Sequence, residues 1–313
     1  MFRRKENKGM INRYEFEILS YIDEKGVKKF SYRELVDNLN ISGETISKTI
    51  IQLEQKECIK KFEGILELTE VAYRELEPYR VQRAVIFAAG FGSRMVPVTL
   101  TTPKPMVKVN GVRIIDRLID ALMAKDIQDI TIVRGYLKER FDDLLEKYPF
   151  LHFVDNDRYE KENNISSALL AGGKVDNCYI CAGDLLITNP AIIRKYNYRS
   201  NYLASYALET DDWCFDFNKG FADNYRKGGA YCFNQYEIAY WNAEDSARLR
   251  EDWKKAYETE KDGYDLFWEF IPLVLYKDRY QVEIRQCNKS DIMEIDNFYE
   301  LVEIDSSYKN YEG

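Results

Sequence analysis

The sequence has few of the residues on which several classes of protein depend. Its 313 residues include one histidine, seven prolines and sixteen glycines, and its six cysteines show no framework spacing. With His152 as the single histidine, a histidine-based catalytic triad is excluded. The glycine and proline content excludes a collagen or a linker-dominated chain. Cysteines without framework spacing predict reduced thiols rather than disulfides.

Long apolar runs are missing from the sequence as well. No stretch approaches the roughly 20 consecutive apolar residues that a membrane-spanning helix needs. The basic residues near the start are followed by no apolar segment of the kind that a signal peptide contains. We therefore expect a cytoplasmic protein that makes no use of a membrane.

Charge divides the chain near residue 80. Residues 1–80 contain 15 basic and 15 acidic side chains, whereas the remainder contains 30 basic and 38 acidic ones and so carries the whole net charge of −8. An acidic protein can still bind anions, but only through local cations and backbone N–H groups. Non-specific binding of nucleic acid by the second part of the chain is therefore not expected.

Residues 1–80 carry the pattern of a small separate domain. Apolar residues at helical spacing and a capping-box motif predict three helices, at residues 12–23, 31–38 and 44–56. Two short strands and a last helix follow, at residues 58–62, 64–68 and from Thr69 onward. This order resembles the winged-helix domains of bacterial regulators.

The resemblance raises the question of DNA binding. A winged helix can place its third helix in the major groove, but here that helix exposes one basic residue, Lys48, and a glutamate, Glu44, at its front. Domains that bind nucleic acid are usually strongly basic. Two interpretations stay open: a DNA-binding domain, and a docking module that would make the protein a homodimer.

A different pattern begins at Arg83 and predicts the fold class. The apolar run 83–89 is typical of a buried parallel strand. Helices and strands then alternate, at residues 114–125, 130–133, 138–147, 151–154 and 179–182. This alternation predicts an α/β domain, Rossmann-like, with a mixed, mostly parallel sheet and helices on both faces. We assign it to residues 83–313.

The loop after the first strand carries the strongest functional signal. Gly90 and Gly92 would let the backbone approach a phosphate chain, whose charge is met by N–H donors. The loop lacks the third glycine of the dinucleotide fingerprint and the Gly-Lys-Ser/Thr of a kinase-type phosphate loop. The full string AAGFGSRMVPVTLTTPKPMVKVNG, residues 88–111, is far more specific than the two glycines.

That string resembles the signature of the nucleotidyltransferases that make activated sugars and alcohols from a nucleoside triphosphate and a phosphomonoester. The resemblance implies two catalytic residues, with Arg94 on the triphosphate and Lys104 on the reacting phosphates. It implies a nucleotide-binding set that consists of Ala88, Ala89, Gly90, Gly92, Ser93, Arg94, Asn164, Ser166 and Asp184.

The same family resemblance implies a magnesium ion. Transfer of a nucleotidyl group needs in-line positioning and neutralisation of charge more than covalent help from the protein. Asp184 comes just past a buried strand, where open α/β sheets bind their ligands, and Asp296 follows a second apolar stretch. Aspartates at these two places bind the metal in the family, so we predict that Asp184 and Asp296 hold Mg²⁺.

Further motifs narrow the resemblance to the bacterial phosphocholine cytidylyltransferases. Over residues 83–305 they occur in the family's order, at residues 134–139, 163–169, 264–268 and 294–296. The resemblance implies that CTP and phosphocholine react to give CDP-choline and pyrophosphate. Two alternatives stay open: another phosphomonoester, such as phosphoethanolamine or a sugar 1-phosphate, and a DNA-binding regulator with a nucleotide-sensing domain.

The tryptophans fit a choline substrate, because a quaternary ammonium is recognised by aromatic faces and nearby carboxylates. All four tryptophans lie between residues 213 and 268. We predict that Trp253 belongs to the core. The predicted substrate-binding cage consists of Trp213, Trp241, Asp265 and Trp268.

Overall fold

A computed structural model of the protein describes residues 11–26, 30–63 and 65–311. Residues 1–10 of the predicted first domain lie outside the described residues, as does Gly64 at the start of its second predicted strand.

The chain divides into two compact units. The first consists of Met1–Arg80 together with Arg194–Tyr198, and the second consists of Val81–Ile193 and Arg199–Gly313. The segment Arg194–Tyr198 is far from the first 80 residues in sequence, and no pattern in the sequence had assigned it to the first unit.

Four helices and three short strands form the described part of the first unit. The helices are α1 (Arg13–Glu24), α2 (Tyr32–Asn38), α3 (Gly43–Gln55) and α4 (Glu70–Leu76). The strands are β1 (Phe30–Ser31), β2 (Ile59–Phe62) and β3 (Ile65–Leu68), paired antiparallel in the order β1-β3-β2. The elements follow the predicted order, with β1 in addition, and the winged-helix identification stays a prediction.

The core of the first unit forms between the apolar faces of its helices and a small aromatic cluster. Ile18 of α1 and Ile46 of α3 are fully buried. Tyr198, from the added segment, stacks on Tyr79 with ring centroids 5.3 Å apart, and Phe16 lies 5.0 Å from Tyr79. These contacts explain why Arg194–Tyr198 belongs to this unit.

The second unit contains four α-helices and eleven strands among its described residues. The helices are α5 (Ile114–Met123), α6 (Ile165–Ala171), α7 (Ala243–Thr259) and α8 (Phe298–Ile304). The strands are β4 (Arg83–Ala88), β5 (Lys108–Val109), β6 (Val112–Arg113), β7 (Asp129–Arg134), β8 (His152–Asp155), β9 (Cys178–Ala182), β10 (Leu185–Ile187), β11 (Asn201–Asn218), β12 (Phe221–Trp241), β13 (Glu283–Gln286) and β14 (Ile292–Glu294).

Seven of these strands form the central sheet, in the order β11-β13-β12-β9-β4-β7-β8. The pairs β9–β4, β4–β7 and β7–β8 are parallel, whereas β12 runs antiparallel to β9. All five residues of β9 are buried, as a central strand covered on both faces requires. The predicted α/β class with a mixed, mostly parallel sheet is confirmed.

One predicted helix has a different form. Residues Lys138–Leu144 make a 3₁₀ segment rather than the α-helix predicted over 138–147. The guanidinium of Arg134 donates to the backbone carbonyl of Lys138 and to the carboxylate of Asp142. The segment is thus tied to the end of β7 by a side chain.

The topology brings the carboxyl ends of β4 and β9 together at one edge of the sheet. Parallel sheets bind their ligands at this edge, next to the point where the strand order reverses. Within the described residues, no helix combines the length and the apolar character that crossing a membrane requires.

Candidate active site

The loop between β4 and the first 3₁₀ turn is shaped by Gly92. Its φ of 62° lies in the left-handed region, and a Cβ there would come within 2.9 Å of the Lys104 side chain. Gly90 has open space where a Cβ would project. The loop therefore packs tightly against Lys104 on one side and leaves room for a ligand on the other.

Two cations and two carboxylates meet at the end of this loop. The ammonium of Lys104 lies 2.8 Å from Asp184 Oδ2 and 3.8 Å from Asp296 Oδ1. Arg94 Nη2 donates to Asp296 Oδ1 at 3.0 Å. Only 11% of the Lys104 side chain is exposed, whereas Arg94 is mostly exposed. A buried ammonium beside an exposed guanidinium suits the binding of a polyanion.

The first of two clefts at this point, the glycine-loop cleft, has a volume of about 370 Å³. Its walls come from the loop after β4, the segment after β8 and the ends of β9 and β12. It is lined by Phe87, Ala88, Ala89, Gly90, Gly92, Ser93, Arg94, Lys104, Pro105, Asn156, Tyr159, Glu162, Asn163, Asn164, Ser167, Ala182, Asp184, Glu237 and Asp296.

The second cleft, the acidic recess, has a volume of about 380 Å³ and shares the reacting centre with the first. The residues common to both clefts are Arg94, Lys104, Ala182, Asp184, Glu237 and Asp296. The rest of the recess is lined by Leu185, Asp211, Asp212, Trp213, Lys227 and Glu294. If one ligand were bound in each cleft, the two ligands would meet at Lys104.

Negative charge accumulates in the acidic recess. Desolvation, followed by the charges of Asp212 and Asp296, raises the pKa of Glu294 to about 8. Glu237 faces the open cleft but lies deep in the protein, where desolvation, Glu269 and Asp184 raise its pKa well above the usual range. Acidic groups raise one another's pKa because their negative charges repel, and a cationic ligand would reduce this repulsion.

One aromatic side chain reaches this recess in the described part of the chain. Trp213 of β11 is half-buried and stacks on Tyr225 of β12, with ring centroids 4.8 Å apart and planes inclined by 19°. Phe267 lies 6.0 Å away, at a tilt of 60°. The long β11–β12 hairpin thus presents a supported indole beside the carboxylates.

Most of the nucleotide-binding residues predicted from the sequence lie together with the predicted catalytic residues and metal ligands. Ala88, Ala89, Gly90, Gly92, Ser93, Arg94, Lys104, Asn164, Asp184 and Asp296 all line the glycine-loop cleft. Ser166 is buried behind it, where its hydroxyl accepts from Asn156 Nδ2 and donates to the carbonyl of Asn163. Ser166 therefore supports the wall of the cleft instead of lining it.

The predicted cage is not assembled in the described structure. Trp241 and Trp268 are buried in the hydrophobic core, with centroids 6.2 Å apart, and line neither cleft. Asp265 is exposed and also lies outside both linings. Of the four residues, Trp213 alone lines the recess, because closeness in sequence does not specify which side chains share a surface.

The cleft residues that were missed in the sequence include Tyr159, Glu162 and Glu237. Glu237 has a recognisable signal, since it is a lone carboxylate within the otherwise apolar end of β12, QYEIAYW. Tyr159 and Glu162 lie in an irregular charged segment after β8, which looks in sequence like an ordinary solvated loop.

The donor set at the reacting centre fits magnesium. Asp184 and Asp296 both contact the ammonium of Lys104, so their carboxylates converge on one position. Magnesium is commonly bound by one or two carboxylates, with waters and substrate phosphates completing its shell. Groups of three or more candidate metal ligands do not occur among residues 11–26, 30–63 and 65–311, so the protein alone would supply only part of the shell.

Comparison with known proteins identifies the family. The MobA-like NTP transferase domain matches residues 84–210. The chain is 35% identical to 2-aminoethylphosphonate cytidylyltransferase of Lancefieldella rimae, over 72% of this chain and 92% of that protein. It is 31% identical to choline-phosphate cytidylyltransferase of Streptococcus pneumoniae, over 73% and 99%.

A solved structure agrees with these matches. CTP:phosphocholine cytidylyltransferase (LicC) from Streptococcus pneumoniae superposes with a TM-score of 0.66 at 29% identity, covering 73% of this chain and 99% of that one. With its glycine loop, paired cations and these relatives, the chain belongs to the cytidylyltransferases of the nucleotidyltransferase superfamily.

Proposed function

We propose that the protein transfers the cytidylyl group of CTP to a small acceptor that carries a phosphate at one end and a cationic head at the other. The acceptor predicted from the sequence is phosphocholine, which would give CDP-choline and pyrophosphate. The observation that supports this proposal is the pair of clefts that share Lys104, one lined by the glycine loop and the other by carboxylates and Trp213.

In the proposed reaction an oxygen of the acceptor phosphate attacks the α-phosphorus of CTP. A bond forms between that oxygen and phosphorus, and the bond from the α-phosphorus to the bridging oxygen breaks as pyrophosphate leaves. Lys104 and Arg94 would neutralise charge on the reacting and leaving oxygens. Mg²⁺, held by Asp184 and Asp296, would add charge neutralisation when bound.

The cationic head would lie in the acidic recess. A trimethylammonium group would contact the face of Trp213, an interaction worth about 0.5–2 kcal/mol. Asp211 and Asp212 would supply the long-range attraction.

A second acceptor, 2-aminoethylphosphonate, is favoured by the composition of the recess. Besides Asp184 and Asp296, which contact Lys104, the recess is lined by four acidic side chains and one tryptophan. The four acidic residues are Asp211, Asp212, Glu237 and Glu294. A primary ammonium has three donors for such carboxylates, whereas a quaternary ammonium has none. The 35% identical relative bears the name of this substrate.

For the first unit we propose a docking or dimerisation role in preference to DNA binding. Lys48 is the single basic residue of α3, and its ammonium is paired with Glu44 on the same helix. A phosphate would therefore have to compete with an existing ion pair. Size-exclusion chromatography with light scattering tests for a dimer, and a mobility-shift assay with duplex DNA tests the alternative.

The experiment that tests the enzymatic proposal is pyrophosphate release with purified full-length protein. CTP, UTP, ATP and GTP are each combined with phosphocholine, phosphoethanolamine, 2-aminoethylphosphonate and glucose 1-phosphate, with and without Mg²⁺. We expect turnover with CTP and a zwitterionic acceptor in the presence of Mg²⁺. Turnover confined to glucose 1-phosphate would overturn the acceptor assignment, and no turnover in any combination would overturn the enzymatic one.

A further inference from the structure

The two ends of the glycine-loop cleft differ in chemistry. One end holds Lys104, Arg94 and the open face of Gly90, where a triphosphate finds cations and backbone N–H groups. The other end is formed by the segment 156–167, after β8. With the phosphates at the first end, the nucleobase of a bound nucleotide extends toward the second.

The asparagines at this second end are already engaged. Asn156 Nδ2 donates both of its hydrogens, to Ser166 and Ser167, and its oxygen accepts from the backbone of Arg158. Asn163 and Asn164 each accept one backbone N–H with the side-chain oxygen, from Asn164 and Trp268 respectively. These amides hold the loop in shape through the hydrogen bonds that they already make within the protein.

Glu162 is different, because it lines the cleft, both of its side-chain oxygens are acceptors and its carboxylate is held in place. Oε1 accepts from the hydroxyl of Tyr257 at 3.1 Å and from Arg158 Nη1 at 3.4 Å. Oε2 is buried and forms an ion pair with Arg158 Nη1 at 3.1 Å, in a geometry that makes no hydrogen bond. A carboxylate has about four acceptor positions on its two oxygens, so the group keeps capacity for a donor from a ligand.

We infer that Glu162 reads the cytosine base of CTP by accepting a hydrogen bond from its exocyclic amine. The inference rests on the proposed cytidylyl transfer and names the residue that selects the nucleotide. Cytosine presents an amine donor at position 4, where uracil presents a carbonyl acceptor, and acidic side chains pair with the cytosine amine in protein–nucleic acid complexes. The same carboxylate repels the uracil carbonyl.

The neighbours of Glu162 suit this role. Arg158 and Tyr257 both contact the carboxylate and are not among the residues that line the cleft, so that a base would meet an oriented acceptor. Tyr159 also lines the cleft, and its ring is packed against Phe91, with centroids 5.1 Å apart. An oriented acceptor next to an aromatic wall matches the edge and the face of a pyrimidine.

Equilibrium binding of CTP and UTP to the full-length protein, measured by calorimetry without acceptor, tests the inference. We expect the wild type to prefer CTP and Glu162→Gln to lower the ratio of the two affinities about tenfold or more, because the amide can turn its NH₂ toward uracil. Glu162→Asp keeps the negative charge but shortens the side chain, which places the carboxylate farther from the base. This variant should weaken the binding of CTP more than the binding of UTP. The matched control is Glu258→Gln, an exposed glutamate on α7.

Each outcome has a distinct meaning. Equal weakening of CTP and UTP in Glu162→Gln, or an unchanged ratio, would show that Glu162 only holds Arg158 and Tyr257, and the inference would be overturned. Equal affinity of the wild type for both nucleotides would overturn it too. Binding of neither nucleotide by the wild type would instead contradict the proposed function. Melting temperatures identify a variant that fails to fold, in which case Glu162→Asp carries the test.

Discussion

At the scale of single residues, Lys104 has the most demanding position in the site. It is buried against Gly92, contacts both aspartates and belongs to both clefts. Lys104→Ala should lower kcat/KM at least 100-fold, which corresponds to about 2.7 kcal/mol of transition-state stabilisation. Steady-state kinetics checks this, with the exposed Lys108→Ala as a control that should keep normal rates. Near-normal turnover of Lys104→Ala would remove it from the mechanism.

The tryptophans give a second test, because two of them have opposite environments. Trp213→Ala should raise the acceptor KM several-fold with little change in stability, since this side chain is half-buried and faces the recess. Trp241→Ala should lower the free energy of unfolding by about 3–5 kcal/mol, because it empties a fully buried site. Kinetics and urea unfolding of both variants separate the roles. A selective acceptor defect in a stable Trp241→Ala would restore the predicted cage.

Glu269 predicts a dependence of stability on pH. Burial raises its pKa from 4.5 to about 7, against the effect of the hydrogen bond from Asn164. The folded state therefore holds a proton that the unfolded state releases, so stability falls as the pH rises from about 4.5 through 7. Urea unfolding at pH 5, 6, 7 and 8 should show this decline, and Glu269→Gln should reduce it. Parallel pH profiles for wild type and variant would exclude Glu269 as the cause.

At the scale of elements, the helices and strands predicted from the sequence are those whose limits local patterns determine. Apolar spacing located α1 and a capping box located α2, because buried faces and caps are encoded within a few residues. The strands β11 and β12 were not predicted, since their 18 and 21 residues alternate irregularly and contain register shifts. That hairpin carries Trp213 and Glu237, so much of the acceptor side of the site could not be located from sequence.

The glycine loop is the element for which sequence and structure agree most closely. A side chain at position 92 would need a positive φ and would meet Lys104 at 2.9 Å. Gly92→Ala should therefore displace Lys104 and weaken CTP binding tenfold or more, by an amount of about 1.4 kcal/mol. The control is Gly90→Ala, for which the protein itself leaves space. Calorimetric titration with CTP distinguishes them, and normal affinity of Gly92→Ala would contradict the tight packing.

At the scale of the whole molecule, a truncation that removes residues 1–80 leaves behind one part of the first unit, the segment Arg194–Tyr198. Tyr196 is 4% exposed and Tyr198 stacks on Tyr79. Removal of residues 1–80 would therefore take away the residues against which both tyrosines pack. We expect the truncated chain to keep its cytidylyltransferase activity but to aggregate more. Tyr196→Ser together with Tyr198→Ser in the truncated chain should restore solubility. An inactive chain that stays soluble would show that the first unit is required for catalysis.

The central claim is that a positive charge on the acceptor is recognised by the acidic recess. The direct test compares kcat/KM for two isosteric pairs: phosphocholine with 3,3-dimethylbutyl phosphate, and 2-aminoethylphosphonate with propylphosphonate. In each pair only the charged head is replaced by a neutral group of similar size. We predict that the better charged acceptor exceeds its neutral partner about 30-fold or more, on the basis of about 2 kcal/mol for a desolvated cation. Equal efficiencies within both pairs would contradict the account.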